Sequence, residues 1–384
     1  MARIQRIVLI VALTVIAVSI PNSNASAQSS TIGTEEKTCE LKPGATCHDV
    51  RHKWDVKHNG NLRRIKFHRA HLHGADFSGA KLHRAEFHGA ILVRANFKGA
   101  TLKGAKFHTP PAVSSKSLLY AAKCPPTCTG ANLTKANFSK SNLTNADFSN
   151  ANLTGANFTG ATLTNAKFFG ANLTGANLTS VAAASGADFT GANMTNAIAK
   201  SGNFKLAYLW SMTGTGADFT GANIDQAYFV KSDFSNANFS KTTGTYTQFV
   251  MATVTGAKFN GANLTGVDFS NASGEKADLS TARFTGALMN GADFDNANFT
   301  GAAINQGPGW YPNWKNGSAK GANFTNSILQ GLNLSGTNLA NAIFVSTLMN
   351  SANLTGANIA GATFTGVTFA STTCPNGTVT NSGC

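Results

Sequence analysis

The sequence predicts an all-β solenoid built from square coils, and three observations carry that prediction. From Ala131 to Leu178 a five-residue phrase, A-(N/D)-(L/F)-(T/S)-x, recurs ten times without interruption. Its apolar position (Leu133, Phe138, Leu143, Phe148, Leu153, Phe158) follows a small residue two places earlier, as at Ala131, Ala136 and Ser141. The other positions hold Asn, Asp, Gly, Ser and Thr, which are poor helix formers and favour turns. Five residues turn an apolar position by about 140° around a helix, and five is odd against strand alternation. Each phrase therefore contains its own bend. Four bends close a coil of about twenty residues, and coils stack at about 4.8 Å. Leu and Phe alternate along the chain, so stacking puts Phe over Phe and Leu over Leu. One coil buries too little apolar surface to offset the entropy of ordering it, so the chain must be a stacked array with covered ends.

These phrases resemble the pentapeptide-repeat family, and the resemblance covers most of the chain after its first residues. It implies a right-handed quadrilateral β-helix in which the central Leu133 and the small Ala131 point inward while Asn132 and Thr134 face water. The family's best-known activity is imitation of DNA by acidic members that bind DNA gyrase and protect it from drugs. That role does not carry over here. The chain has a formal charge of +14, reads as exported, and ends without an evident amphipathic dimer helix.

Taken in order, residues 1–27 read as a secretory signal: Arg3 and Arg6, an apolar run over 7–20, and Ala25-Ser26-Ala27 as cleavage site. An uncleaved anchor is the alternative, but the run is short for a membrane span. The mature chain is expected in the periplasm or outside the cell. Residues 28–59, which include Trp54, lack the phrase and suit an N-terminal cap.

Residues 60–108 carry the phrase on Leu62, Phe67, Leu72, Phe77 and onward, and differ from the rest in charge. All nine histidines of the chain lie between His48 and His108, with thirteen Lys or Arg against Asp49, Asp55, Asp76 and Glu86, a surplus of nine positive charges. A twenty-residue coil aligns His68, His88 and His108 in one outward column and Arg63, His83 and Lys103 in another. The candidate anion-binding residues are Arg63, Arg64, Lys66, Arg69, Lys81, His83, Arg84 and Lys103. A metal-binding histidine ladder is a weaker reading, since cations crowd the column and no carboxylate is seen to partner it. A merely soluble surface is the third.

Residues 109–130 break the phrase with Pro110, Pro111, Pro125 and Pro126 and read as a loop. The six cysteines fall outside the regular repeat, and an even count in an exported chain points to disulfides. The local pairs Cys39 with Cys47, Cys124 with Cys128, and Cys374 with Cys384 need the fewest assumptions; zinc is the competing reading.

The main helix spans 131–304, slipping by one residue near 181–186. Weak centres at Ala199, Gly214, Gly244 and Gly274 suggest bulges or thin corners. Two apolar features lie on expected outer faces. Tyr208 and Tyr228 share a column, with Trp210, Val230 and Val250 in the next, a candidate contact patch. The segment 305–320 holds Trp310, Tyr311 and Trp314, able to stack on a partner or to pack back on the helix; its length sets Ile304 and Phe324 one coil apart. The repeat closes over 321–370, and 371–384 is a short polar tail.

Chemistry is scarce. Asp147, Asp188 and Asp218 occupy the Asn/Asp slot, which structure explains, and no nucleophile is paired with a base. No enzyme activity, cofactor or small-molecule substrate is expected. The remaining classes are an exported scaffold or protein-interaction module with an unidentified protein partner, and a binder of polyanions through the basic block. The polyanion classes left open are nucleic acid, acidic polysaccharide and an anionic membrane surface. Last comes an ice- or surface-binding rod, motivated by stacked Thr134, Thr154 and Thr174. Oligomeric state is left open.

Overall fold

The computed structural model describes residues 31–34, 37–48, 50, 60–72, 75–88, 90, 100–102, 105–106, 128–182, 185–307 and 311–384. Residues 1–27, which were expected to be a signal, most of the 109–130 segment, and Lys103, His108, Cys124 and Trp310 lie outside the described residues. No α-helix occurs among those described.

Each phrase folds through its own side chains. The Leu133 carbonyl accepts from the Ala136 N–H at 2.9 Å, closing a β-turn over Thr134 and Lys135. Lys135 has φ 56°, the positive value that a type II turn requires at its third residue. Ahead of the turn, Asn132 Oδ1 accepts from the Thr134 N–H at 3.2 Å and the Thr134 hydroxyl at 2.7 Å. This Asx turn explains why Asn or Asp stands two places before Thr or Ser. Asp147, Asp188 and Asp218 make the same bond to Ser149, Thr190 and Thr220. The threonine hydroxyls of the proposed ice-facing column, at Thr134, Thr154 and Thr174, are committed to this local bond.

Coils then stack through backbone hydrogen bonds and buried side-chain columns. Asn132 bridges Asn152 and Asn152 bridges Asn172, all parallel and twenty residues apart. Around each bridge the Leu133 N–H donates to Asn152 O at 2.7 Å and the Asn152 N–H to Ala131 O at 2.9 Å. Inside, Phe138 stacks on Phe158 at 5.0 Å and Phe148 on Phe168 at 5.1 Å, with rings within 14° of parallel. The Leu133, Leu153 and Leu173 column is fully buried. The result is a four-sided parallel β-helix whose core is a set of matched columns.

The structure departs from the sequence expectations at five places. First, the coil begins earlier than Leu62: Thr46–His48 pairs in parallel with Lys66–His68, and Cys47 sits buried beneath Phe67. An antiparallel hairpin, Thr31–Thr34 with Lys37–Glu40, precedes it and is tied on by Cys39–Cys47. Second, Cys128 lies inside the repeat, not outside it. Its N–H donates to Asp147 O, its carbonyl accepts from Ala131 N–H, and its side chain is buried in a central slot. Cys128 is disulfide-bonded, and Cys374–Cys384 closes the C-terminal hairpin.

Third, Gly214, Gly244 and Gly274 are not bulges. The bridges around them stay twenty residues apart, because Phe234, Leu264 and Phe294 of the following coil fill the space that a side chain would take. Fourth, the aromatic segment lengthens one lap by five residues: Leu288 bridges Asn313 and Ala303 bridges Ile328. Ile304 therefore lies beneath Leu329, and Phe324 stacks on Phe299 at 4.9 Å. Five extra residues preserve the phase of the phrase but shift every vertical partner. Fifth, the repeat resumes inside the segment expected to be an insertion, and Trp314 takes the packed one of its two expected placements. It fills a central slot, fully buried against Phe294 and Phe299 at 5.7 and 5.5 Å, and its Nε1–H donates to Ala292 O at 3.1 Å. The repeat has thus resumed by Asn313, within the segment set aside as an insertion.

Candidate anion-binding surface

In the N-terminal coils, cations take the outward slots that Asn, Thr and Gly hold elsewhere. On one face the ladder Asn61, Lys81, Thr101 runs up the bridges. Arg63 and His83 follow in the next slot, and Arg64 and Arg84 stand at the corner with φ 58° and 56°. The Arg64 N–H donates to His83 O at 2.9 Å, which fixes the vertical order of the two coils.

Around that corner the next face carries the ladder Lys66, Glu86, Lys106. Beside it stands a histidine column. His48 and His68 are paired in register with ring centroids 4.7 Å apart, and His68 and His88 are 5.8 Å apart. Arg69 occupies the following corner. Seven cations, Arg63, Arg64, Lys66, Arg69, Lys81, Arg84 and Lys106, are all exposed on these two faces, against Glu86 as the one described acid. The fold brings together every candidate anion-binding residue that lies within the described chain; Lys103 lies outside it.

Sequence reasoning missed the part played by Glu86. A carboxylate does partner the histidine column: His68 Nε2 lies 3.4 Å from Glu86 Oε2, and Lys106 Nζ lies 3.4 Å from Oε1. Lys66 Nζ is 3.9 Å away. Glu86 stands eighteen residues after His68, one lap less the two places between their slots, a spacing visible once the coil length is known. Partial burial raises the Glu86 carboxyl, but bonds from His68 and Lys106 and the charges of Lys106 and Lys66 outweigh it and hold the group below the usual carboxylate range. Burial pushes the His68 imidazole below its ordinary value; the bond to Glu86 opposes this, and His48 and His88 add to it by repulsion. Among the described residues no group of three or more His, Cys, Asp or Glu could hold a metal ion; His108 lies outside them. An open cleft of about 620 Å³ is lined by His68, Glu86, His88, Lys106 and Asn137.

The second candidate surface is also assembled. Tyr208 and Tyr228 stack at 5.5 Å and 10°, and Trp210 meets Tyr228 edge-on at 6.4 Å. Val230 and Val250 continue the Trp210 column, half-buried. The face is larger than the sequence suggested, because Leu206, Tyr246 and Met251 stand exposed at its two bordering corners. All three have positive φ, 61°, 56° and 56°. The available signal was a large apolar residue in the slot that Gly and Asn usually hold. Tyr311 is exposed as expected, while Trp310 lies outside the described residues.

A parallel four-sided β-helix with five-residue turns and one basic end defines a repeat protein of the solenoid class. The family model for pentapeptide repeats matches residues 61–99, 80–108, 127–160, 146–181, 215–243, 252–291, 277–306, 320–351, 333–370 and 347–380. The chain belongs to the pentapeptide repeat family, and its fold is the right-handed quadrilateral β-helix. Similar solved structures include HetL from the cyanobacterium Nostoc, a pentapeptide repeat protein involved in heterocyst differentiation regulation. It is 21% identical over 66% of this chain and 94% of its own, with a TM-score of 0.34. QnrB1, a plasmid-mediated fluoroquinolone resistance protein, is 19% identical over 57% and 86%, with a TM-score of 0.20. A pentapeptide repeat protein of the Arabidopsis thaliana thylakoid lumen is 31% identical over 37% and 68%, with a TM-score of 0.17. No curated protein matches the chain.

Proposed function

We propose that this protein is a non-enzymatic, exported scaffold whose N-terminal coils bind a polyanion. The observation that supports this best is the pair of adjacent faces on which seven exposed cations meet one acid. Coils stacked about 4.8 Å apart present charge at regular intervals up each column, and such a strip raises the local concentration of a polymeric counter-ion. Export agrees with the disulfides Cys39–Cys47 and Cys374–Cys384, which persist in oxidising compartments.

The test is retention on immobilised heparin. Substituting Arg63→Thr, Arg64→Asn, Lys81→Asn and Arg84→Asn places at each slot the residue that the repeat uses elsewhere, so the backbone need not change. The native chain should elute at moderate salt and the quadruple variant earlier. Unretarded passage of the native chain removes the proposal.

A second reading, a protein-contact face centred on Tyr208 and Trp210, is favoured by Leu206, Tyr246 and Met251, which extend its exposed apolar surface at the corners. Crosslinking with mass spectrometry in the exported fraction should recover a partner that Trp210→Thr loses; an unchanged crosslink pattern removes this reading.

A further inference from the structure

We propose that the cleft beside His68 and His88 seats one oxyanion of the polyanion, a sulfate or phosphate-ester group, and that this seat is filled as the histidine column takes up protons. The inference deepens the polyanion reading and rests on it.

The groups that face the cleft come from successive coils. His68 comes from one coil, Glu86 and His88 from the next, and Lys106 and Asn137 from those that follow, with His48 against the His68 ring and Lys66 beside Glu86. With neutral imidazoles, Glu86 offsets one of the two lysines that bracket it, and its Oε1 and Oε2 take the bonds from Lys106 and His68. The seat then carries a single net positive charge among Lys66, Glu86 and Lys106. Protonation of His48, His68 and His88 adds as many as three more. Rings 4.7 and 5.8 Å apart repel one another once charged, so an anion placed among them removes the obstacle to full protonation. Anion binding and proton uptake are therefore linked, and each strengthens the other. Burial, which lowers the His68 imidazole in the free protein, widens the pH interval over which this exchange occurs. Histidine is the side chain whose ordinary titration falls in this interval.

The probe must not titrate itself. Dextran sulfate keeps its charge across the range, whereas a phosphate monoester changes charge near about pH 6. Full-length protein is titrated calorimetrically with dextran sulfate at pH 7.5 and 5.5 and fixed ionic strength. The expected result is roughly tenfold tighter binding at pH 5.5, which over two pH units corresponds to an average uptake of about half a proton per chain. Two variants move in opposite directions. His68→Thr with His88→Thr restores the usual residue of the slot and should flatten the ratio of the two affinities to below about twofold. His68→Lys with His88→Lys should raise the pH 7.5 affinity towards the pH 5.5 level. Vesicles of phosphatidylglycerol in phosphatidylcholine, whose phosphodiester also keeps its charge, show whether a lipid surface elicits the same response as the polymer. Binding at pH 7.5 with no gain at pH 5.5, or a gain that survives the threonine pair, overturns the seat and leaves the basic strip standing. Absence of binding to either probe at both pH values overturns both.

Discussion

Phe234 lies one coil above Gly214 and leans into the space where a side chain at Gly214 would project. The pair is a lock across two laps. The Gly214 N–H donates to Asp233 O at 2.7 Å, next to the Phe234 ring that fills the gap.

Gly214→Ala is expected to cost about 1–3 kcal/mol, the usual penalty for overpacking a filled core. Gly214→Ala combined with Phe234→Leu should recover part of the loss. Chemical denaturation of the three chains checks this, and an unchanged midpoint for the single variant would mean that the ring has room to move aside.

Leu206 sets backbone strain against contact area. A non-glycine residue in the left-handed region costs about 1–2 kcal/mol, and Leu206 holds φ 61° while 36% exposed. Leu206→Asn should raise the free energy of unfolding by up to about 1 kcal/mol, read as a higher midpoint, since Asn tolerates this conformation. A lowered midpoint would show that packing by Leu206 outweighs its strain.

Trp314 and Trp210 are distinguishable by fluorescence. Trp314 is fully buried and Trp210 is 47% exposed. A chain carrying Trp210→Phe should lose much of the iodide-quenchable emission, and one carrying Trp314→Phe should keep it. Trp314→Ala should cost about 3–5 kcal/mol as a core truncation. Iodide access to Trp314 in the folded chain would refute its placement.

Glu86 links charge to pH. Its folded carboxyl is held below the ordinary range, so its ion pairs stabilise the fold above the unfolded-state titration and are lost as pH falls through the folded one. Glu86→Gln should therefore flatten the acid limb of the stability profile between about pH 5 and 3. The same change removes the negative charge that helps raise His68, so the His68 imidazole should titrate at lower pH, read by NMR. It also deletes the one described acid of the basic faces, so binding of dextran sulfate at pH 7.5 should tighten. Weaker binding would assign Glu86 a positioning role.

The phrase, the square coil and the columns follow from the letters alone. Each phrase is closed by contacts two or three residues apart, such as Asn132 with Thr134 and Leu133 with Ala136. Local chemistry of that kind repeats wherever the letters repeat. The letters also determine that Arg63, Lys66, Lys81 and Arg84 share one end of the rod, because their column positions follow from the lap length alone.

Whatever depends on neighbours a lap away is visible in the folded chain and not in the letters. The five residues added before Trp314 leave the phrase in phase, so the sequence pattern does not distinguish a lap of twenty from one of twenty-five. The structure sets Phe324 on Phe299 and draws Trp314 inward, where the long lap leaves a central slot for it to fill. In the same way, Glu86 reaches His68 from a different slot on the next coil. Side-chain reach between adjacent columns governs that contact, and a five-letter period carries no information about it.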